Sequence, residues 1–250
     1  MLTCLGFTNG FMIKPSVVPI VPILDKQNDP TVSIVVLPGT LVRPKHYEPI
    51  ARKIESMCKS KKIDVDVSLA KFTLNVGHRF QVESMSEEIL KTVKTDNIVL
   101  VGHSASAFVG IDIASKIGAK GLVQWCGTFN SRGSFPWDIR DRSILYSPVL
   151  CILAEQDGMF SFTSALKDFD GLNSTSTFPT YIKDAKHMSG VSYLGITPKK
   201  HLTKRVKNYM ESKSLTEKDV EESYTRSISL RISDFIGHVE GSDERVSECH

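Results

Sequence analysis

Residues 97–106, Asn97-Ile98-Val99-Leu100-Val101-Gly102-His103-Ser104-Ala105-Ser106, join an apolar run to a turn of small residues. An apolar run of this length is typical of a strand that is buried on both faces of a sheet. A helical pattern follows at once and extends to about Ile117, where Gly118 can end the helix in a left-handed cap. The stretch therefore predicts a strand, a sharp turn and a helix.

Short apolar runs alternate with amphipathic helical patterns along most of the remaining chain. Strands separated by helices, and apolar throughout, indicate a mostly parallel sheet that is covered on both faces. Right-handed crossovers then give an α/β fold, a three-layer α/β/α domain. The further strands are predicted at 33–37, 64–70, 121–125, 148–153 and 178–182, and the further helices around 47–57 and 82–93.

The chain divides into a core and two ends. We expect residues 30–211 to form the α/β core, and 1–29 to form an amino-terminal segment with room for an edge strand. Residues 212–250 form a carboxyl-terminal extension with a disordered end. Its acidic stretch 216–222 can open a helix, and the polar–apolar alternation of 227–233 is typical of a half-buried edge strand or a partner segment.

Composition and charge exclude several classes of protein. Of the 250 residues, 41% are hydrophobic and 24% are charged, which is the ordinary range of a globular chain. A net charge of +3 is too small to indicate nucleic-acid binding. No unbroken apolar run approaches the roughly 20 residues that a bilayer requires, and no basic segment precedes the apolar amino end. We therefore expect a soluble, cytoplasmic protein.

The cysteines form no recognisable pattern. They are odd in number and contain no CxxC pair, so neither a disulfide framework nor a zinc site is predicted. We expect no metal and no cofactor, and we expect the cysteines to take no part in function. The five are Cys4, Cys58, Cys126, Cys151 and Cys249.

Ser104 is the candidate nucleophile. A serine between a buried strand and a helix matches a nucleophile elbow, in which a strained turn presents the hydroxyl clear of the backbone. Small residues two positions before and after let strand and helix pass closely. Gly102 meets the first requirement, and Ser106 stands where the usual pattern has glycine. A serine in this place can alternatively cap the following helix.

An acid and a histidine follow in the chain order that such a serine requires. Asp157 comes just beyond the strand at 148–153, at the edge where open α/β sheets bind ligands. Glu155 is its rival, with Asp138 and Asp141 as more distant choices. The loop after the last strand carries His187, which is the candidate base in preference to His103 and His201.

These residue types fit acyl transfer at a serine. The imidazole takes the hydroxyl proton during attack, and the carboxylate orients the imidazole and stabilises its charged form. The oxyanion of the intermediate needs backbone donors. We expect one from Ala105, and the other from Thr40 or Leu41 in the turn after 33–37, where Pro38 has no N–H to donate.

On these residues the chain resembles the α/β-hydrolase family. The resemblance covers about residues 30–211 and is carried by Gly102–Ser106, Pro38–Thr40, Asp157 and His187. It implies that family's fold and serine-esterase chemistry. Pro-Gly, where many members have His-Gly, is similar to lipid-droplet-associated and related small lipase-like hydrolases.

The substrate is expected to be a small ester or a lipid. Only residues 127–147 are available for a cap, so the site is predicted to be open under a minimal cap. Aromatic and thioether side chains near the site can line an acyl pocket; they are Phe129, Phe135, Trp137 and Met159. The basic helix predicted at 199–213 has one apolar face, which allows peripheral contact with an anionic membrane.

Two other functions use the same residues. A hydrolase fold that has lost catalysis can serve as a binding or scaffold protein. An acyltransferase would use the same serine, histidine and acid with a different acceptor. Fold alone does not settle substrate, and nothing in the sequence predicts the oligomeric state.

Overall fold

The computed structural model describes residues 15–20, 29–127, 148–157, 159, 177–191 and 204–247. Within these ranges one sheet has the strand order β1-β3-β2-β4-β5-β6-β7. All neighbouring strands are parallel except β1, which pairs antiparallel with β3 at the edge. The strands are β1 (Ser16–Pro19), β2 (Val32–Leu37), β3 (Val65–Lys71), β4 (Ile98–His103), β5 (Gly121–Trp125), β6 (Val149–Ala154) and β7 (Thr177–Ile182).

Helices connect the parallel strands between Val32 and Trp125, and helices cover both faces of the sheet. In β2, Ile34 and Val36 pack in one apolar cluster, and Val35 and Leu37 pack in the other. This alternation follows from the two-residue period of a strand. The first cluster includes residues of α1 and α5, and the second includes residues of α2 and α3. The predicted three-layer α/β/α architecture is therefore confirmed. The helices are α1 (Glu48–Ser60), α2 (Val82–Thr92), α3 (Ser106–Ile117), α4 (Lys204–Lys213) and α5 (Glu217–Ser247).

The register brings several chain segments to one edge of the sheet. Leu37 lies opposite Gly102, and His103 lies opposite Trp125. The carboxyl ends of β2, β4 and β5 are therefore level with one another. The segments that leave these ends carry most of the candidate site.

The carboxyl-terminal strand predicted at 227–233 is wrong, because these residues lie inside α5. The local alternation Ser-Ile-Ser-Leu-Arg-Ile-Ser imitates a strand, whereas the longer apolar pattern has helical spacing. Leu230, which a strand would place on the same face as Ile228 and Ile232, is 43% exposed. The buried face of α5, which packs with α1, consists of Val220, Tyr224, Ile228, Ile232, Phe235, Ile236 and Val239.

The predicted basic helix at 199–213 is observed over its described part and ends at Lys213 as predicted. The observed helix α4 begins at Lys204, and 199–203 lie outside the described residues. Met210, on its predicted apolar face, is buried. The membrane contact stays a prediction. Among the described residues, no helix is both long and apolar enough to cross a membrane.

Candidate active site

The turn at Ser104 has the geometry of a nucleophile elbow. Ser104 has a φ of +55°, a left-handed conformation that non-glycine residues rarely adopt. Its N–H donates to the carbonyl of Trp125 at 2.9 Å, which fixes the turn to the end of β5. The residue that caps α3 is Ala105, and it caps without a side-chain hydrogen bond. The alternative role of Ser104 as a capping side chain is therefore not the one observed.

The structure brings Ser104, His187 and Asp157 into one hydrogen-bonded array. The Oγ atom of Ser104 lies 2.7 Å from Nε2 of His187, and Nδ1 of His187 lies 2.9 Å from Oδ2 of Asp157. Ser104 and His187 are both buried, with exposures of 7% and 8%. The array is continuous from the hydroxyl to the carboxylate, and it has the connectivity that proton transfer from a serine requires.

Of the alternative acids, Glu155 is directed elsewhere. Its Oε2 accepts a hydrogen bond from the N–H of Asp184 at 2.7 Å, and it thereby supports the start of the loop that leads to His187. The remaining alternatives, Asp138 and Asp141, lie outside the described residues, as does His201. Asp157 is thus the carboxylate that contacts the histidine.

Cys126 contacts the same carboxylate, a contact that the sequence did not predict. Its buried thiol is hydrogen-bonded to Asp157, and burial, reinforced by the Asp157 charge, raises the thiol pKa well above its usual range. The protonated thiol is thus a donor to the acid. Asp157 also accepts from the N–H of Met159 at 2.8 Å through Oδ1. Two neighbours therefore hold the carboxylate that orients His187.

The same three side chains offer a possible metal-ligand set. Ligand atoms of Cys126, Asp157 and His187 lie within 4.8 Å of one another. In this structure Asp157 and His187 are hydrogen-bonded to each other, which is the contact that proton transfer from Ser104 requires.

The loop after β2 lies directly against the elbow. A Cβ atom on Gly39 would fall 3.2 Å from Cβ of Ser104, so the loop approaches closely only because this residue is glycine. Leu41 donates its N–H to the carbonyl of Asn75 at 2.6 Å, which removes it from the two donors predicted after β2. Thr40 therefore remains the candidate oxyanion donor in this loop, opposite Ala105.

Ser106 has a structural role that glycine could not fill. Its side chain is fully buried, and its Oγ donates to the carbonyl of Pro38 at 2.5 Å. The departure from the usual small-residue pattern thus ties the elbow to the loop that carries Thr40. Sequence reasoning missed this contact because it joins residues 68 positions apart.

A buried cluster of rings lies beneath the array. His103 is fully buried between Tyr47 and Trp125, at ring-centroid distances of 5.7 and 4.4 Å. Its two ring nitrogens contact the Tyr47 hydroxyl and the backbone carbonyl of His187, not the Ser104 hydroxyl. Tyr47 was missed as a site residue, because its apolar spacing assigned it only to the buried face of α1. It lies in the turn that precedes α1, and its hydroxyl contacts Nδ1 of His103, the residue before Ser104.

Helix α5 holds the loop that carries His187. The N–H of Gly190 donates to Oε1 of Glu221 at 3.0 Å, and the Tyr224 hydroxyl donates to the carbonyl of Asp184 at 3.1 Å. Burial raises the pKa of Glu221 to about 7, although the hydrogen bond from Gly190 opposes this shift. The extension predicted as a separate end of the chain thus supports the candidate base.

The predicted acyl pocket falls mostly outside the described residues. Phe129, Phe135 and Trp137 belong to that part of the chain, as does nearly all of the predicted cap. Met159 is described and is 67% exposed, so it lies at the surface beside Asp157. The pocket and the minimal cap stay predictions.

The strand order, the crossovers and the elbow define the class: the chain has the α/β-hydrolase fold. It is similar to Est1E from Butyrivibrio proteoclasticus, with 11% identity and a TM-score of 0.53 over 88% of this chain and 94% of that one. It is also similar to Est1E with bound ferulic acid, with 14% identity and a TM-score of 0.51 over 79% of this chain and 94% of that one. No protein-family model and no curated protein matches the sequence.

Proposed function

We propose that the protein is a serine hydrolase that cleaves carboxylic esters, of the esterase or lipase-like kind, through an acyl-enzyme. The observation that carries the proposal is the unbroken array Ser104–His187–Asp157, with contacts of 2.7 and 2.9 Å. A protein that used this fold only for binding would have no need of a strained serine aligned on a histidine and a buried carboxylate.

The first half of the reaction forms the acyl-enzyme. Oγ of Ser104 attacks the ester carbonyl while Nε2 of His187 accepts its proton, and the backbone N–H groups of Thr40 and Ala105 stabilise the oxyanion. The carbon–oxygen bond to the leaving alcohol then breaks, and His187 returns the proton to that alcohol. Asp157 stays ionised and stabilises the charged imidazole between these two transfers.

The second half releases the acid. Water attacks the acyl carbon while His187 takes one of its protons, and the Ser104 oxygen then leaves and recovers a proton from His187. The products are a carboxylic acid, an alcohol and the free serine. An acyltransferase would differ only in the acceptor, which would replace water in this half.

Labelling with a fluorophosphonate probe tests the proposal. We expect the wild type to be labelled and Ser104→Ala to remain unlabelled. The control is Ser86→Ala, which removes another buried serine hydroxyl, on α2, and is expected to keep labelling. Absence of labelling in the folded wild type would overturn the proposal in favour of a binding protein.

A series of nitrophenyl esters from acetate to decanoate then tests the ester specificity. We expect hydrolysis of at least one member of the series, with the rate depending on acyl length. A protein that is labelled at Ser104 and releases nitrophenol only when an acceptor alcohol is added would be an acyltransferase instead.

A further inference from the structure

Three buried hydrogen bonds form a continuous chain next to the nucleophile elbow. The N–H of Gly39 donates to the Tyr47 hydroxyl oxygen at 2.8 Å, and that oxygen lies 2.6 Å from Nδ1 of His103. On its other side, Nε2 of His103 lies 3.0 Å from the backbone carbonyl oxygen of His187. This chain, which we call the relay, joins the loop of Thr40 to the loop of the base.

The chemistry of the groups fixes the direction of each bond in the relay. A carbonyl oxygen only accepts, so Nε2 of His103 carries a proton and donates to His187. Burial, with the neighbouring His187 adding to it, lowers the pKa of His103 to about 3, so the ring is neutral and Nδ1 is bare. The Tyr47 hydroxyl therefore donates to Nδ1 while it accepts from Gly39, and each N–H and O–H of the relay has an acceptor.

We propose that Tyr47 and His103 are positioning residues that hold the oxyanion donor Thr40 and the base His187 at a fixed separation. The proposal rests on the proposed hydrolase function. The two groups that it connects act on one reaction: Thr40 binds the carbonyl oxygen, and His187 takes the proton of the serine that attacks the carbonyl carbon. Productive acyl transfer requires such groups to be held within about 0.5 Å of their working positions.

The close approach of the Gly39 backbone to Tyr47 and His103 supports the proposal. A Cβ atom at Gly39 would fall 2.8 Å from Nδ1 of His103 and 3.2 Å from the Tyr47 hydroxyl. Only glycine therefore lets the loop approach both relay side chains. His103 directly precedes Ser104 in the chain, so the relay is also covalently linked to the nucleophile elbow.

The central variant is Tyr47→Phe, which removes one oxygen and keeps the buried ring. We expect kcat for a nitrophenyl ester to fall roughly 10–100-fold, with KM changed less than about twofold, because alignment and not substrate binding is lost. The measurement uses folded enzyme at a temperature well below its unfolding transition. The stability control is Ile89→Val, which opens a small cavity under α2, a helix outside the candidate site, and is expected to leave kcat unchanged.

A second variant tests whether Tyr47 and His103 act as one unit. His103→Leu removes both ring nitrogens and is expected to lower kcat as much as Tyr47→Phe does. Because breaking a chain twice costs little more than breaking it once, the double variant should lose no more than the worse single variant. His103→Gln keeps a donor for the His187 carbonyl and should recover part of kcat.

The outcomes separate this proposal from the one on which it rests. If wild type is not labelled by the fluorophosphonate, the hydrolase function fails and the relay proposal fails with it. If wild type is active and Tyr47→Phe matches Ile89→Val in kcat, the relay alone is refuted. Fully additive losses in log kcat would also refute it, because independent structural damage adds.

Discussion

Replacement of Gly102 by alanine tests how closely β4 and α3 must pass at the elbow. A Cβ atom at this position would lie 2.9 Å from Cα of Ala107, 3.1 Å from the carbonyl oxygen of Ser106 and 3.2 Å from N of Ala107. All three are backbone atoms, so no side chain can rotate away. Relief to an ordinary carbon–carbon contact of about 3.5 Å requires the first turn of α3 to move by about 0.6 Å.

That movement has two consequences of calculable size. Forcing an extra methyl group into a packed site costs about 1–3 kcal/mol of unfolding free energy. Ser104 stands between Gly102 and the displaced turn, and it must stay 2.7 Å from Nε2 of His187. A misplacement approaching 1 Å costs about 100-fold in rate, so we expect Gly102→Ala to slow the proposed ester hydrolysis and fluorophosphonate labelling about 10–100-fold.

The matched control is the same substitution at the other end of α3. Gly118 has a φ of +64° and no atom within 4 Å of an added Cβ, so Gly118→Ala strains the backbone without a clash. We expect it to lose about 1 kcal/mol of stability and no activity per folded molecule. Urea unfolding and labelling rates measure the two effects. Gly102→Ala labelling within twofold of Gly118→Ala would refute the reasoning.

Three further predictions follow from the packing of α5 and from the candidate acid. Ile232→Ala should cost about 2–5 kcal/mol in urea unfolding, whereas Leu230→Ala should cost under about 1 kcal/mol; equal losses would contradict the helical register of α5. Asp157→Asn should lower kcat about 10⁴-fold, with Glu155→Gln within tenfold of wild type, and the reverse order would assign the acid to Glu155. The pKa of the Glu221 carboxyl is 4.5 in the unfolded chain and about 7 in the folded protein. Between these pH values the folded state binds more protons than the unfolded state, so the free energy of unfolding of the wild type falls as the pH rises. Glu221→Gln has no such carboxyl. The free energy of unfolding of the variant minus that of the wild type should therefore rise by on the order of 2 kcal/mol from pH 4 to pH 8, and a difference that does not change with pH would contradict the pKa shift.

The parts of the site that sequence reasoning located are those set by short-range rules. The order of strand, Gly102, Ser104 and helix specifies an elbow within a few residues. Asp157 and His187 follow because parallel strands deliver their carboxyl ends to one edge of the sheet. Each of these inferences needs only the local pattern and the topology.

The parts that it missed depend on contacts between distant segments. The alternation at 227–233 is a local coincidence, and only the spacing from Val220 to Val239 distinguishes helix from strand. Tyr47 resembles any buried aromatic residue until His103 and Gly39 are brought beside its hydroxyl. Cys126 likewise becomes a partner of the acid only when β5 and β6 are adjacent.

Helix α5, which holds the His187 loop, is synthesised after the other parts of the candidate site. The elbow and the loop of Thr40 belong to strands that emerge early from the ribosome. The buried face of α5 ends at Val239, roughly 50 residues after His187, which at 5–20 residues per second is about 3–10 s of further synthesis. The residues of the elbow are therefore synthesised before the helix that supports the loop of the candidate base, and the candidate site is complete only once that helix has docked.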